Sequence, residues 1–173
     1  MKIKTEKLLK IMNILSWIIF IGILIEAGAV VVSYFVSISN PEASKVLYKG
    51  IGMFDYRQQS FVNYSFLVAY KVFIYVMKAY IALQMTRLLT RLNISRPFTI
   101  DVVLLMQSIS YSILIIWIVS VINNTHVDFL EKSYGIPAIH VSGDFIFIAG
   151  IVYVFAQMFR RGMEIQSEND LTV

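Results

Sequence analysis

The segment Val102–Val121, VVLLMQSISYSILIIWIVSV, runs for twenty residues without an Asp, Glu, Lys or Arg. A bilayer hydrocarbon core about 30 Å thick is crossed by roughly 20 apolar residues, each rising about 1.5 Å in a helix. The segment is therefore long enough to cross a membrane as one helix, extended to about 102–122. Working outward, three more windows meet the same test at about 12–36, 61–83 and 145–161, the last being the shortest. The three prolines, Pro41, Pro97 and Pro137, all fall between these windows, where helices stop. Thr99 with Asp101 is placed to cap and charge the start of the third helix, and Ser142 or Asp144 the start of the fourth.

Composition agrees with a lipid solvent. The 173-residue chain is 58% hydrophobic and 15% charged, against soluble norms of roughly 45–50% and 25%. Its mean hydropathy is +0.71. The length suits one unit, so the expected fold is all-α: a single transmembrane domain over 1–173, built as a four-helix bundle, with a C-terminal tail at 162–173. The absence of cysteine excludes disulfides, thiolate nucleophiles and Cys-ligated metals. Lys2, Lys4, Lys7 and Lys10 before an apolar run also fit a signal peptide. That run, however, continues to about Val36, beyond the roughly 7–15 residues of an h-region. An uncleaved first helix is the expectation.

Orientation follows from Lys and Arg in the flanks of the spans. One side collects Lys2, Lys4, Lys7, Lys10, Arg87, Arg91, Arg96, Arg160 and Arg161, and the other Lys45, Lys49, Arg57 and Lys132. The first side is expected to be cytoplasmic, which places both termini inside and accounts for the net charge of +4 without direct nucleic acid binding. The two outer connections, about 39–60 and 123–143, are longer than most, which marks them as functional or mobile.

Three charges fall well inside the windows, away from their ends: Glu26 in the first, and Lys71 and Lys78 in the second. Each costs about 2.5–3.5 kcal/mol at a bilayer centre, whereas each Leu, Ile, Val or Phe returns only about 0.3–0.6. Two central lysines therefore offset most of what the eleven such residues of the second window contribute. Lys78 is near enough to the inner end to snorkel. Lys71 and Glu26 lie at similar depth if the two helices are antiparallel neighbours, so they are expected to pair. Lys71, Tyr75, Lys78 and Ala82 share one helix face. This set is either a register device or a ligand or proton site. Gln107, Ser108, Ser110 and Ser112 are placed for interhelical hydrogen bonds. Gly22, Ala27, Gly28, Ala149, Gly150 and Ala156 are placed for close helix approach.

Catalytic patterns are weak. His126, Asp128, Glu131, His140 and Asp144 gather near the second outer connection but lack the i, i+4 spacing of a zinc helix, so no metal and no cofactor is expected. Asp144 has no second intramembrane aspartate with which to share a proton. No nucleophile elbow, Walker A or dinucleotide fingerprint occurs. No enzymatic activity is expected.

Two stretches carry a family resemblance. Phe159–Val173, FRRGMEIQSENDLTV, resembles the closing string of DUF2975, a bacterial membrane family of unknown function. Leu92–Phe98, LNISRPF, is similar to that family's Arg-Pro-Phe element before its third helix. Ile165 stands where the family usually has Leu. The resemblance implies a multi-pass protein of the bacterial cytoplasmic membrane and, from gene neighbourhood, a small helix-turn-helix regulator as partner. Read from the residues alone, Glu164, Glu168 and Asp170 could pair with Arg87, Arg91 or Arg96, and Asn169 or Asp170 could cap the helix start after Arg96-Pro97-Phe98. Together with Arg161 and Gly162 these residues form either an internal clasp or a docking surface.

Three functions remain open. The first is a regulatory or sensory partner of that regulator. The second is a small transporter or ligand carrier using Glu26, Lys71 and Lys78. The third is an assembly or immunity factor acting on another membrane protein. Because the chain has no cysteine, orientation is directly testable. Ser133→Cys should react with a membrane-impermeant maleimide in intact cells, and Ser167→Cys only after lysis; the reverse pattern would invert the topology.

Overall fold

Hydrocarbon offers no partner to a peptide N–H or C=O, so a chain of this composition closes its backbone hydrogen bonds within helices. The computed structural model describes residues 2–46, 52–93, 96–143 and 145–171. Lys49, Ile94, Ser95, Asp144, Thr172 and Val173 lie outside the described residues, as do the side chains of Lys2, Lys4 and Asp170. Every regular element among the described residues is helical. These are α1 (Lys2–Ser39), a 3₁₀ turn (Pro41–Val46), α2 (Phe54–Gln59), α3 (Phe61–Arg91), α4 (Ile100–Tyr134) and α5 (Ile146–Leu171). The four long helices are each long and apolar enough to cross a membrane.

The helices outrun their apolar windows. α3 continues past Leu83 to Arg91, α5 continues past Arg161 to Leu171, and α4 continues past Ile122 to Tyr134. Hydropathy reports where the solvent changes, and helical hydrogen bonding need not stop there. The segment expected to be an outer connection from Asn123 is thus helical for its first half. The actual stop is Gly135, whose φ of +70° is the left-handed conformation that ends helices, with Pro137 just beyond. Its N–H closes onto the Glu131 carbonyl at 2.8 Å. At the start of α4, Thr99 performs the expected capping role. Its Oγ1 accepts from the Val102 N–H at 3.4 Å and its carbonyl from the Val103 N–H at 3.1 Å.

The chain forms two compact units. One comprises residues 1–20, 79–115 and 144–173. Within it Asn13 of α1 donates to Thr90 of α3 at 2.8 Å, Gln84 of α3 to Ser108 of α4 at 2.9 Å, and Ser110 of α4 to the Ala149 carbonyl of α5 at 2.9 Å. Ala149 and Ala156 are buried, while Ile14, Ile18, Phe147, Val154 and Met158 are exposed. Small and polar residues at these contacts, with many large apolar ones facing outward, is an arrangement found in helices packed in lipid. The glycines behave differently from expectation. A Cβ added at Gly22, Gly28 or Gly150 would meet nothing within 4 Å, so it is the alanines that lie at the helix contacts.

The other unit comprises residues 21–78 and 116–143. Its core brings Val30 of α1, Tyr56 of α2, Tyr64 and Leu67 of α3, and Val127 and Leu130 of α4 around Met53 and Ile136. The segment after Gly135 has no helix to satisfy its peptides, and side chains do so instead. Asn124 donates to the Val141 carbonyl and accepts from the Val141 N–H, both at 2.8 Å. The Tyr56 hydroxyl donates to the Pro137 carbonyl at 2.7 Å and accepts from the Ile139 N–H at 3.3 Å. Arg57 closes the end of α1, donating through Nε and Nη2 to the Ser37 carbonyl at 3.0 and 2.8 Å.

Burial pushes the Tyr56 phenol above its ordinary pKa, with the charges of Glu131 and Asp55 adding to the effect. The fold therefore favours the protonated phenol. That contribution is complete below the unfolded pKa of about 10 and is lost as pH rises through the folded value. Tyr56→Phe should lower stability at neutral pH by about 1–3 kcal/mol, since it leaves a carbonyl and an N–H without their partner. The gap to the parent protein should narrow above about pH 10. Thermal unfolding in detergent across that range measures both.

Candidate functional site

The intramembrane charges come first. Glu26, Lys71 and Lys78 all belong to the unit of residues 21–78 and 116–143, and each is half-buried. Glu26 and Lys78 are each engaged with a partner. The Lys78 ammonium lies 5.9 Å from the centroid of the Tyr75 ring, a cation–π distance. Tyr75 in turn packs against the core of that unit. In the same unit His140 meets Asp128 at 2.7 Å, and the His126 ring stands edge-on to Tyr70. No group of three or more metal-ligating side chains forms among the described residues.

The second place is the surface made by the Arg-Pro-Phe element and the far end of α5, both within the other unit. The Phe98 ring packs edge-on against Phe159, with centroids 5.2 Å apart at 70°. It also lies directly over Gly162. A Cβ built there would sit 2.9 Å from two ring carbons and 3.0 Å from a third, closer than van der Waals contact allows. Gly162 is thus required by the close approach of a neighbour in the middle of a helix, where glycine otherwise costs about 1 kcal/mol. One aromatic side chain ties the entry to α4 to the polar end of α5.

Around this contact the charges pair locally. Arg161 bonds Glu164 at 2.8 Å on its own helix, Arg91 bonds Asp101 at 3.0 Å, and Arg87 bonds Gln84 at 3.0 Å. Of the groups expected to pair across helices, Glu164 is held by Arg161 and Arg87 by Gln84, each three residues away on its own helix, and Arg91 by Asp101 at the start of α4. Arg87, Arg91, Arg96, Arg161, Glu164, Glu168 and Asn169 are all exposed, and Pro97 and Phe98 are half-buried. Arg91 also borders two shallow cavities of about 520 and 480 Å³. The arrangement presents guanidinium, carboxylate and amide groups on a helix whose position is fixed by an aromatic wedge.

The contact joins the two stretches on which the family resemblance rests. The model of the family described as a protein of unknown function, DUF2975, matches residues 36–173. The chain belongs to the DUF2975 family. No curated protein and no solved structure matches it. The DUF2975 match covers α2 through α5 and the end of α1, so it takes in both Phe98 and Gly162.

Sequence reading singled out Phe98 and Gly162 but not what joins them, and it missed Phe159 as part of the seat. It also missed Tyr56, Arg57 and Asn124, for which the only sequence signal is the helix stop Gly135-Ile136-Pro137. Gly162→Ala should destabilise the protein despite the better helix propensity of alanine, because overpacking costs about 1–3 kcal/mol. Phe98→Ala should remove that penalty. The double variant should therefore be more stable than the sum of the single effects predicts, in a thermal-unfolding double-mutant cycle.

Proposed function

We propose that this DUF2975 protein is a non-enzymatic regulatory protein of the bacterial cytoplasmic membrane, with both termini inside. In this reading it docks a small helix-turn-helix regulator on the surface formed by Arg96-Pro97-Phe98 and the polar end of α5. The observation that supports it is the continuation of α5 to Leu171 as a helix seated by Phe98. An isolated ten-residue helix is marginal in water. A helix continued from a membrane span and wedged in place presents its charges at little further ordering cost, which favours binding.

The internal clasp and the docking surface are then two aspects of one device. The aromatic contact uses Phe98, Phe159 and Gly162, and leaves Arg160, Arg161, Glu164 and Glu168 exposed. Exposed ion pairs such as Arg161–Glu164 contribute only about 0–1 kcal/mol to stability, so changing them tests recognition rather than folding.

The test is direct binding between the purified full-length protein and a small helix-turn-helix regulator of the kind the family resemblance implies. Arg161→Glu and Glu168→Arg should each weaken binding by about tenfold or more, the worth of one charge-assisted contact. Ser133→Arg should leave it unchanged. Unaltered binding by both charge reversals, or no binding by the parent protein, would contradict the proposal.

A further inference from the structure

Within the unit of residues 21–78 and 116–143, α1 and α3 border a groove of about 800 Å³. Its walls are apolar, with Val31 and Phe35 from α1 and Val62, Phe66, Ala69 and Phe73 from α3. The hydroxyls it contains, on Tyr34 and Ser65, bond each other at 2.9 Å and so are satisfied without a ligand. The groove extends along α3 from Phe61 to Val76, about 22 Å at 1.5 Å per residue. One leaflet of hydrocarbon is about 15 Å deep.

A cation stands at the Phe61 end. The Arg57 guanidinium lies 5.1 Å from the centroid of the Phe61 ring. Its described bonds, to the carbonyls of Ser37 and Ile38, use Nε and Nη2. A guanidinium carries five N–H donors in a fork suited to phosphate oxygens. An apolar channel at least one leaflet long, with such a group at its mouth, matches a molecule having a long hydrocarbon chain and an anionic head.

We propose that this groove holds one acyl chain of an anionic phospholipid, with the phosphate at Arg57. The groove's volume lies within the range of roughly 300–1,000 Å³ typical of small-ligand sites, and the Arg57 guanidinium at its end supplies the charge that an anionic headgroup requires. The proposal does not depend on the docking surface, which is built from other residues.

The test uses the full-length protein in phosphatidylcholine vesicles containing a phosphatidylglycerol probe with a photoreactive acyl chain. Adducts should concentrate on residues 31–35 and 61–76. Unlabelled phosphatidylglycerol should displace the probe roughly tenfold better than phosphatidylcholine does, the worth of a charge-assisted hydrogen bond. Ala69→Phe, at an exposed lining position, should fill the groove and abolish those adducts, whereas Gly150→Phe on α5 should not. Adducts spread evenly over α5, equal displacement by both lipids, or full labelling of Ala69→Phe would each overturn the proposal. So would crosslinks from this groove to a second protein in place of lipid. If Ala69→Phe fails to accumulate, the adduct map and the competition on the parent protein decide the matter.

Discussion

A peptide group in hydrocarbon must find its hydrogen-bond partner within the protein, and most of this structure follows from that requirement. It turns four apolar stretches into long helices and leaves the difficulty at their ends. Each end has its own solution. Arg57 closes the last carbonyls of α1, Thr99 caps the first amides of α4, and Gly135 ends α4 through its left-handed backbone. The non-helical segment after Gly135 is the most exposed to the problem. Asn124 and Tyr56 answer it by donating to one backbone group and accepting from another.

The same requirement shapes the interior. With lipid outside, apolar residues gain less by turning inward, and several contacts in the unit of residues 1–20, 79–115 and 144–173 are made by small and polar side chains. Ser110 reaching the Ala149 carbonyl and Gln84 reaching Ser108 are contacts of this kind. Phe98 makes a contact of another kind. It is a large aromatic residue at an element entry, and it finds room only because Gly162 has no side chain. A flexible C-terminal tail would need no such fit. An ordered helix with interleaved charges does, and this is why the contact is read as preparation of a binding surface.

The four spans were legible because a charge-free run of twenty residues, such as Val102–Val121, has few other uses. Their full lengths were not, because Asn123–Tyr134 and Gly162–Leu171 are polar yet helical, and hydropathy marks the change of solvent. Gly135-Ile136-Pro137 was the readable stop for α4. Small residues were legible as a class but not by face: Ala149 and Ala156 are buried, while Gly150 between them is exposed. Both motif segments stood out in the sequence, yet the seat of Phe98 on Gly162 depends on how α5 is rotated about its axis, which no local pattern reports. Glu164 bonds Arg161 for a related reason. Arg161, three residues away on the same helix, is always within reach, whereas a partner on another helix must be brought there.

The Arg-Pro-Phe element and the end of α5 form one ordered surface held by Phe98. Hydrogen–deuterium exchange of the full-length protein in lipid nanodiscs, with and without Phe98→Ala, tests it most directly. Slow exchange is expected at 159–169 in the parent protein, with release of 96–100 and 159–169 together in the variant. Slow exchange at 159–169 that survives loss of the ring, or fast exchange there in the parent protein, would contradict it.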